Sequence, residues 1–368
     1  LQENAIFVKG DSDGKLNTSD YVLFYGQSQH RWKYDAGDKR FHHNLNIYSD
    51  TTYYFITADG GAGKRISGQN SSTVSPTNTV TSFDDYQFHE SEAVNLLKSG
   101  RQWMGETFDI TGTPSSPYKF TFNFPNIETS SKVYARVEVG ARADSPGTNF
   151  SWSVNGASSS FNVTGIDVSQ IYATYYNIKS DNINFYSNLE SIIVEISKTT
   201  ATPSIGWLNY IEVNARRRLI MDKDQMIFRD INSVSTGNIS QFLISNATSS
   251  MQIWEVTDRT NAKLQTTSLV GNILKYTLAS DSLREFIAFN DNSFYIPNAL
   301  GAVENQNLHA LGQLDMIIVA HPNFINEANT IANLHSSNDG LSVVVVTPQQ
   351  IYNEFSSGSQ DISAIRDF

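Results

Sequence analysis

The fold is decided by two apolar runs near the end of the chain, Asp315-Met-Ile-Ile-Val-Ala320 and Leu341-Ser-Val-Val-Val-Val-Thr347. Continuous apolar runs of this length predict strands that are buried on both faces of a parallel sheet. Between them, apolar positions recur at offsets of four, seven and eleven, which predicts a helix with one apolar stripe. That stripe consists of Phe324, Ala328, Ile331 and His335. Gly340 can end the helix in the left-handed conformation. A strand, a helix and a second strand form a βαβ unit.

Two further helices are predicted after the second strand. In Thr347-Pro-Gln-Gln350, the Thr can cap a helix, the Pro needs no partner for an N–H, and the Gln can complete a capping box. Another helix is predicted from Asp361, with Ile362, Ile365 and Phe368 on its apolar side. Two parallel strands leave the faces and edges of their sheet uncovered. We therefore expect the chain to be the front part of a longer protein, whose α/β domain begins here.

Upstream of this unit, the sequence has the patterns of β domains. Tyr118-Lys-Phe-Thr-Phe-Asn-Phe124 places four aromatic side chains on one face, and Val133-Tyr-Ala-Arg-Val-Glu-Val139 repeats the alternation. Residues 89–215 are therefore predicted to form a β-sandwich or jelly roll. The predicted fold class is mainly β, with several consecutive β domains followed by the first βαβ unit of an incomplete α/β domain.

The remaining boundaries follow from shifts in composition. Short strands between Asx- and Gly-rich turns predict a small β domain over residues 1–88, and Ser67–Thr81 is interpreted as a linker or exposed loop. A third β module with its connector is predicted over residues 216–312. The α/β unit takes residues 313–368.

Composition excludes several classes of function. The 368 residues contain 37 acidic and 26 Lys or Arg residues, a net charge of −11, which argues against binding to nucleic acid or to an anionic membrane surface. Without cysteine, the chain cannot form a disulfide, a thiolate metal site or a cysteine nucleophile. No apolar run approaches the roughly 20 residues that span a bilayer. The chain begins at Leu1 without an apolar leader, so we expect that any signal peptide has already been removed.

One turn partly resembles a calcium-binding loop. Asp11, Asp13 and Asp20 fall at positions three, five and twelve of such a loop, but Lys9 occupies position one and cannot be a ligand. An Asx-rich hairpin turn explains the same residues without a metal. The three aspartates remain a weak calcium candidate, and no other metal site and no cofactor site is predicted.

Four histidines lie at positions that bear on catalysis or metal binding. His42 and His43 are neighbours whose side chains point to opposite faces of a strand, so they are not expected to share one metal. His321 follows a predicted strand end, where α/β sites gather, but it is interpreted as a loop residue. His335 is interpreted as a partly buried helix residue. No catalytic residue is predicted within residues 1–368.

Two other polar segments could bind a partner. Arg216-Arg-Arg218 is interpreted as a solvated strand end at a domain boundary, with binding to an acidic partner or a phosphate as the alternative. In Ser99-Gly-Arg-Gln-Trp-Met-Gly-Glu106, Trp103 is interpreted as a packed linker residue rather than as a surface contact.

The sequence also resembles a known family. The run from Asp315 through Val343-Val-Val-Val-Thr-Pro-Gln-Gln-Ile-Tyr-Asn-Glu-Phe355, with Gly358 and Asp361-Ile-Ser-Ala-Ile-Arg366, resembles the start of the catalytic domain of gingipain-type cysteine peptidases. Upstream phrases are similar to the N-terminal region of the PorU-type sortases of the type IX secretion system. These phrases are Tyr21-Val-Leu-Phe-Tyr-Gly26, Ile47-Tyr-Ser-Asp50, Ser99-Gly-Arg-Gln-Trp103 with Gly105-Glu106, and Gly206-Trp-Leu-Asn-Tyr-Ile-Glu212.

The resemblance implies a caspase-like α/β domain whose catalytic Cys and His lie beyond the matched residues, so neither role transfers to a residue of this chain. It implies that the whole protein removes the C-terminal signal of secreted cargo and attaches the cargo to anionic lipopolysaccharide through an acyl-enzyme. It also implies a location at the cell surface, held at the outer membrane by a β-barrel protein of the PorV type and other attachment-complex subunits. The chain itself would serve docking and positioning.

Two alternatives remain open from the sequence. One is a surface adhesin or glycan-binding protein with a degenerate α/β tail. The other is a free secreted protease whose β modules act as a prodomain. Residues 298–312 contain no Lys or Arg, which argues against tryptic maturation in that connector.

Overall fold

The computed structural model describes residues 2–10, 13–15, 17–58, 60–99, 101–108, 116–170, 174–199, 203–290 and 294–368. Within these ranges the chain is mainly β, and its α-helices lie near the C-terminus. The strands are β1 (Ile6–Lys9), β2 (Tyr21–Phe24), β3 (Arg31–Asp35), β4 (Arg40–Asn44), β5 (Ser67–Gln69), β6 (Asn78–Val80), β7 (Ser82–Glu90), β8 (Thr107–Phe108), β9 (Tyr118–Asn123), β10 (Lys132–Arg142), β11 (Gly147–Val154), β12 (Ala157–Thr164), β13 (Asn177–Tyr186), β14 (Ser191–Lys198), β15 (Ile205–Arg218), β16 (Gln225–Arg229), β17 (Ile239–Ile244), β18 (Met251–Glu255), β19 (Lys263–Gln265), β20 (Ser268–Val270), β21 (Ile273–Ala279), β22 (Glu285–Asn290), β23 (Met316–Val319) and β24 (Val343–Val346). The helices are α1 (Ile325–Asn338), α2 (Pro348–Phe355) and α3 (Ile362–Asp367). No helix among the described residues is long and apolar enough to cross a membrane.

The predicted β-sandwich is confirmed, and we call it the first sandwich. One sheet has the order β13-β10-β15-β7, with β8 paired to β15, and the other has the order β12-β11-β14-β9. The alternating aromatic run of β9 places Phe122 in the shared core, where it joins Phe150 and Trp152 of β11. Each fully buried side chain of this size contributes roughly 1.5–3 kcal/mol of hydrophobic stabilisation.

A second sandwich is formed by β5 and β6 together with strands that follow the first sandwich in the chain. Its sheets have the orders β16-β22-β18-β19-β5 and β20-β21-β17-β6, and Phe228, Phe242, Tyr276 and Phe286 from both sheets fill its core. Strands β16 to β22 of this sandwich lie within residues 216–312, where a third β module was predicted.

The interpretation of Ser67–Thr81 as a linker is wrong. This segment contains β5, which pairs parallel with β19, and β6, which pairs parallel with β17. The two strands are three residues long and carry few apolar side chains, so their main contribution is backbone hydrogen bonding, such as Thr266 N to Gln69 O of β5 at 2.8 Å. Binary patterning cannot detect strands of this kind. The predicted boundary between residues 88 and 89 also falls inside β7.

Residues 2–58 form two separate hairpins, β1–β2 and β3–β4, where one small β domain was expected. β4 ends at Asn44, and residues 52–56 form no strand. Their aromatic side chains contact other segments instead, as Tyr54 does with Phe24 at 4.7 Å between ring centroids. We call the described part of residues 2–58 the N-terminal segment.

The α/β prediction for the end of the chain is confirmed in its topology. β23 and β24 pair in parallel, with α1 as the crossover between them. Gly340 has a φ of +70°, and the capping box of Thr347 with Gln350 is complete. The predicted stripe of α1 is only partly right, because Ala328 is buried but Phe324 and Ile331 are exposed. We call residues 308–368 the C-terminal unit.

Candidate functional site

The candidate functional site is a docking site. It consists of the contacts that the N-terminal segment makes with the second sandwich, the first sandwich and the C-terminal unit. The first hairpin of the N-terminal segment packs on the second sandwich, where Phe7 lies 6.4 Å from Trp254 between ring centroids. Ala5 N also donates to Thr260 O at 2.8 Å. The segment therefore begins as a cover on the second sandwich.

Its second hairpin, β3–β4, packs on the first sandwich. Trp32 stacks on Tyr86 of β7 with ring centroids 4.0 Å apart. Asn214 of β15 pairs with the backbone of Phe41, accepting from its N–H at 2.9 Å and donating to its carbonyl at 3.0 Å. The Asn214 amide thus replaces a strand partner and fixes the position of β4.

Beneath this hairpin, His42 and His43 meet one buried carboxylate. Glu212 Oε2 lies 2.7 Å from Nδ1 of His42, and Glu212 Oε1 lies 2.5 Å from Nδ1 of His43. On its other side, His43 Nε2 lies 2.5 Å from Oε2 of Glu90. The two rings therefore share a carboxylate, and no group of three metal-ligating side chains occurs among the described residues.

Burial and hydrogen bonding determine the protonation states of His43 and Glu212. Burial alone lowers the pKa of His43, but the hydrogen bonds that its ring donates to Glu212 and Glu90 outweigh burial and raise that pKa to about 9. Burial raises the pKa of Glu212, and the two histidines outweigh it, so that its pKa lies below the ordinary value. Both partners are ionised near neutral pH, which suits a charge-assisted clamp rather than proton transfer.

The arginines after the first sandwich are not solvated as expected. Arg216 lies 2.9 Å from Asp84 and 2.7 Å from Asp230, and Arg217 lies 3.0 Å from Asp85 and 2.9 Å from Asp222. Only the third residue of the triplet, Arg218, is exposed. The carboxylates come from β7 and from the second sandwich, so this array joins the two sandwiches. The prediction failed because sequence cannot show that two acidic segments converge on one strand end.

The third contact of the N-terminal segment is with the C-terminal unit. Gln29 Nε2 donates to Ser359 Oγ at 2.6 Å and to Thr51 O at 3.0 Å, and Ser359 Oγ donates to Thr51 O at 3.2 Å. Gly358, with a φ of +85°, lies so close to Tyr53 that an added Cβ would be 3.3 Å from the Cβ of Tyr53. The turn between α2 and α3 is therefore docked on residues 29–53.

The C-terminal unit is also tied to its own connector. The carboxylate of Glu354 on α2 accepts from Leu308 N at 2.7 Å, from Gln306 Nε2 at 2.8 Å and from His309 N at 3.2 Å. Burial raises the pKa of Glu354, but these donors prevail and lower it to about 2. His309 stacks on Phe355 with ring centroids 4.3 Å apart. This arrangement fixes the point at which the chain enters the unit.

An apolar surface remains exposed on the C-terminal unit. It consists of Ile317, Val319, Phe324, Ile331, Leu334, Ile362 and Ile365, each at least 37% exposed. Exposed apolar patches of this kind mark surfaces that contact other protein. His321, at the carboxyl end of β23, accepts from Asn323 N at 3.2 Å through Nδ1 and so caps the next turn.

Of the three aspartates that form the calcium candidate, the structure describes Asp13 and Asp20. Asp11 lies outside the described residues. Asp13 accepts from Lys15 N at 2.9 Å and from Asn17 Nδ2 at 3.0 Å, and Asp20 accepts from Asn17 N at 2.7 Å. These are the bonds of an Asx-rich turn, and calcium binding stays a prediction.

Sequence reasoning missed several residues that hold the docking site together, notably Glu212, Glu90, Asn214 and Glu354. A signal existed for Glu212, because Trp207-Leu-Asn-Tyr-Ile-Glu-Val213 places a carboxylate in a strand that is otherwise mostly apolar. Such a residue is buried only with a partner. The partner itself cannot be read from the sequence, since His43 lies 169 residues away.

Comparison with known proteins adds the family context. Residues 309–368 match the family model described as Peptidase family C25. No curated protein matches the chain. Among solved structures, dimeric latent PorU from Porphyromonas gingivalis matches with a TM-score of 0.82 and 23% identity, over 100% of this chain and 34% of that one.

Two further structural matches have TM-scores too low to indicate a shared fold. The insecticidal delta-endotoxin Cry8Ea1 from Bacillus thuringiensis has a TM-score of 0.21 at 18% identity, over 30% of this chain and 19% of that one. The CBM35 module of Cellvibrio japonicus Abf62 has a TM-score of 0.22 at 12% identity, over 36% of this chain and 86% of that one. The chain thus spans about a third of the length of latent PorU, has its fold over that span, and matches peptidase family C25 over residues 309–368.

Proposed function

We propose that the chain is the N-terminal region of a type IX secretion sortase, a cell-surface cysteine peptidase. The whole protein would remove the C-terminal signal of secreted cargo and pass the cargo to an amine of surface lipopolysaccharide. In this chemistry a thiolate attacks the scissile carbonyl, the departing amine takes a proton from a histidine, and the acceptor amine then displaces the thiolate. The nucleophile would lie outside residues 1–368, which contain no cysteine.

The match to latent PorU over the full length of the chain carries this proposal. The match of residues 309–368 to peptidase family C25 supports it independently, because it falls on the βαβ unit and not on the β modules. The exposed apolar surface of the C-terminal unit supports it too, since the remainder of an α/β domain would cover such a surface.

Within this proposal, the described residues serve docking and positioning. The N-terminal segment contacts the second sandwich through Phe7, the first sandwich through Trp32 and the C-terminal unit through Gln29. A peptidase domain that begins at residue 309 would thereby be held at a set orientation to the β modules. Those modules would then offer their surfaces to an outer-membrane partner of the PorV type and to the C-terminal signal domains of cargo.

The test is a deletion of the encoding gene, followed by intact-mass measurement of a secreted cargo that carries a C-terminal signal. Without the gene, we expect cargo that keeps its signal, whereas the parent strain yields cargo that has lost the signal and gained the mass of an attached acceptor. Complementation with the full-length gene should restore processing. A secreted protein without such a signal serves as the control. Identical cargo masses with and without the gene would overturn the proposal and favour a surface adhesin.

A further inference from the structure

A polar cleft of about 590 Å³ lies between the N-terminal segment and the second sandwich. Gln2, Gln27 and Arg31 line it from one side, and residues 257–260 line it from the other. This volume is within the range of small-molecule sites in proteins. The cleft is therefore large enough for a ligand of several heavy atoms, and its walls belong to two separate parts of the fold.

The charges around this cleft are not balanced. Glu285 Oε1 accepts from Arg229, at 2.9 Å from Nε and 2.8 Å from NH2. The other oxygen, Oε2, lies 3.6 Å from Arg259. One carboxylate therefore serves two guanidinium groups. Arg31 is exposed at the first position of β3, and within the described ranges it forms no ion pair.

The remaining carboxylate in the wall is committed to its own turn. Asp258 Oδ1 accepts from Thr260 N at 3.1 Å and from Thr260 Oγ1 at 2.9 Å. Arg31 and Arg259 line the cleft from its two sides. Each also lowers the pKa of Tyr54, a phenol whose pKa is raised by burial. The cleft is thus lined by two guanidinium groups and one carboxylate, and that carboxylate is bonded within its own turn.

We propose that Arg31 and Arg259 form a binding site for an oxyanion, a phosphate or carboxylate group on a small polar molecule. Guanidinium groups bind such oxygens through paired, charge-assisted hydrogen bonds. The side-chain amide of Gln27 supplies a neutral polar group for the rest of the ligand. The Gln2 amide and the Thr260 hydroxyl are bonded to each other at 2.8 Å and help to shape the wall. Because Arg31 follows Gln29 by two residues, the bound anion would lie near the contact between the N-terminal segment and the C-terminal unit.

The test is calorimetric titration of the full chain with inorganic phosphate, glucose 6-phosphate, glucuronate and glucose. We expect binding of the charged probes with dissociation constants on the order of 1 mM or below, and no heat from glucose. Tighter binding of glucose 6-phosphate than of phosphate would support the site and show that its neutral groups contact the ligand. Equal binding would support a site for the oxyanion alone.

The Arg31→Ala variant should weaken binding about tenfold or more, since it removes one of two guanidinium groups. This variant is suitable because the Arg31 side chain is exposed and its removal leaves the core intact. Arg218→Ala, an exposed arginine outside the cleft, is the matched control and should bind as the parent does. Binding of no charged probe, or equal weakening by both substitutions, would overturn the proposal.

Discussion

At the residue scale, the docking of β3–β4 depends on a single carboxylate. Glu212 contacts both histidines and accepts from the backbone N–H of His43 at 2.9 Å. Its side chain is 2% exposed, so neither water nor another side chain can replace it easily. A buried ion pair of this kind adds little net stability when complete, but breaking it leaves a buried charge without a partner.

We predict that Glu212→Ala lowers the free energy of unfolding by about 3–5 kcal/mol, because His43 keeps only Glu90 as a partner. Glu195→Ala is the matched control, since Glu195 forms an exposed pair with Lys119 at 3.1 Å. It should change the free energy by at most about 0.5–1 kcal/mol. Urea unfolding measures both, and equal effects of the two substitutions would contradict the proposed role of Glu212.

The raised pKa of His43 predicts a specific pH dependence. A folded-state pKa of about 9 exceeds the unfolded value of about 6.5, so the bound proton stabilises the folded state. This stabilisation is complete below about pH 6.5 and is lost as the pH rises through about 9.

The measurement is the melting temperature of the parent, His43→Gln and His335→Gln between pH 6 and pH 9.5. The parent and the His335→Gln control, which changes a half-buried histidine paired with Asp339, should lose stability over this range. His43→Gln should lose less. Parallel profiles for all three proteins would show that His43 does not carry the effect.

At the element scale, the sequence predicted the helices and strands whose ends or faces are determined by local side-chain signals. The capping box of Thr347, the stop at Gly340 and the alternation of β9 are local signals, and all three correspond to the observed elements. β5 and β6 could not be predicted, because they are stabilised by pairing with strands of the second sandwich that lie more than 150 residues away. Residues 52–56 have strand-like composition, yet they pair with no strand in the part of the chain that the structure describes.

The capping box gives a prediction for α2. Thr347→Ala removes the acceptor for Gln350 N at 3.2 Å and should cost about 1 kcal/mol. Hydrogen exchange of the α2 amides should be faster in this variant. Thr330→Ala, in the interior of α1, is the control: Thr330 bonds only to Asn326 O within its own helix, and Ala favours helices. Unchanged exchange in α2 after Thr347→Ala would contradict the role of the cap.

At the scale of the whole molecule, the two sandwiches are interlocked. Phe83 lies on β7 of the first sandwich, yet its fully buried ring belongs to the core of the second, 6.3 Å from Phe228. Together with the ion pairs of Arg216 and Arg217, this contact makes the junction part of both units. The division predicted from composition could not show this, because it assumed that neighbouring stretches fold separately.

Interlocking predicts that one core substitution affects both sandwiches. Phe83→Ala should lower the free energy of unfolding by about 3–5 kcal/mol through the cavity that it leaves. Unfolding can be followed by the fluorescence of Trp152, buried in the first sandwich, or of Trp254, buried in the second, when each is kept as the single tryptophan. Phe83→Ala should shift the unfolding midpoint reported by each tryptophan by the same amount. Tyr186→Ala, at an exposed ring of β13, is the control and should have little effect. A shift for only one of the two tryptophans would contradict the interlocked arrangement.

The N-terminal segment holds the C-terminal unit against the β modules, and a disulfide tests this contact most directly. An added Cβ at Gly358 would lie 3.3 Å from the Cβ of Tyr53, close to the roughly 3.5–4.5 Å of disulfides. The chain has no other cysteine that could interfere. In Tyr53→Cys/Gly358→Cys, we predict an intramolecular disulfide in most molecules under mild oxidation, seen as a loss of two hydrogens by mass and of both free thiols. Tyr53→Cys/Gly237→Cys, whose second site faces open space, should stay reduced. If both double variants stay reduced, the C-terminal unit is not docked on the N-terminal segment, and the positioning role fails.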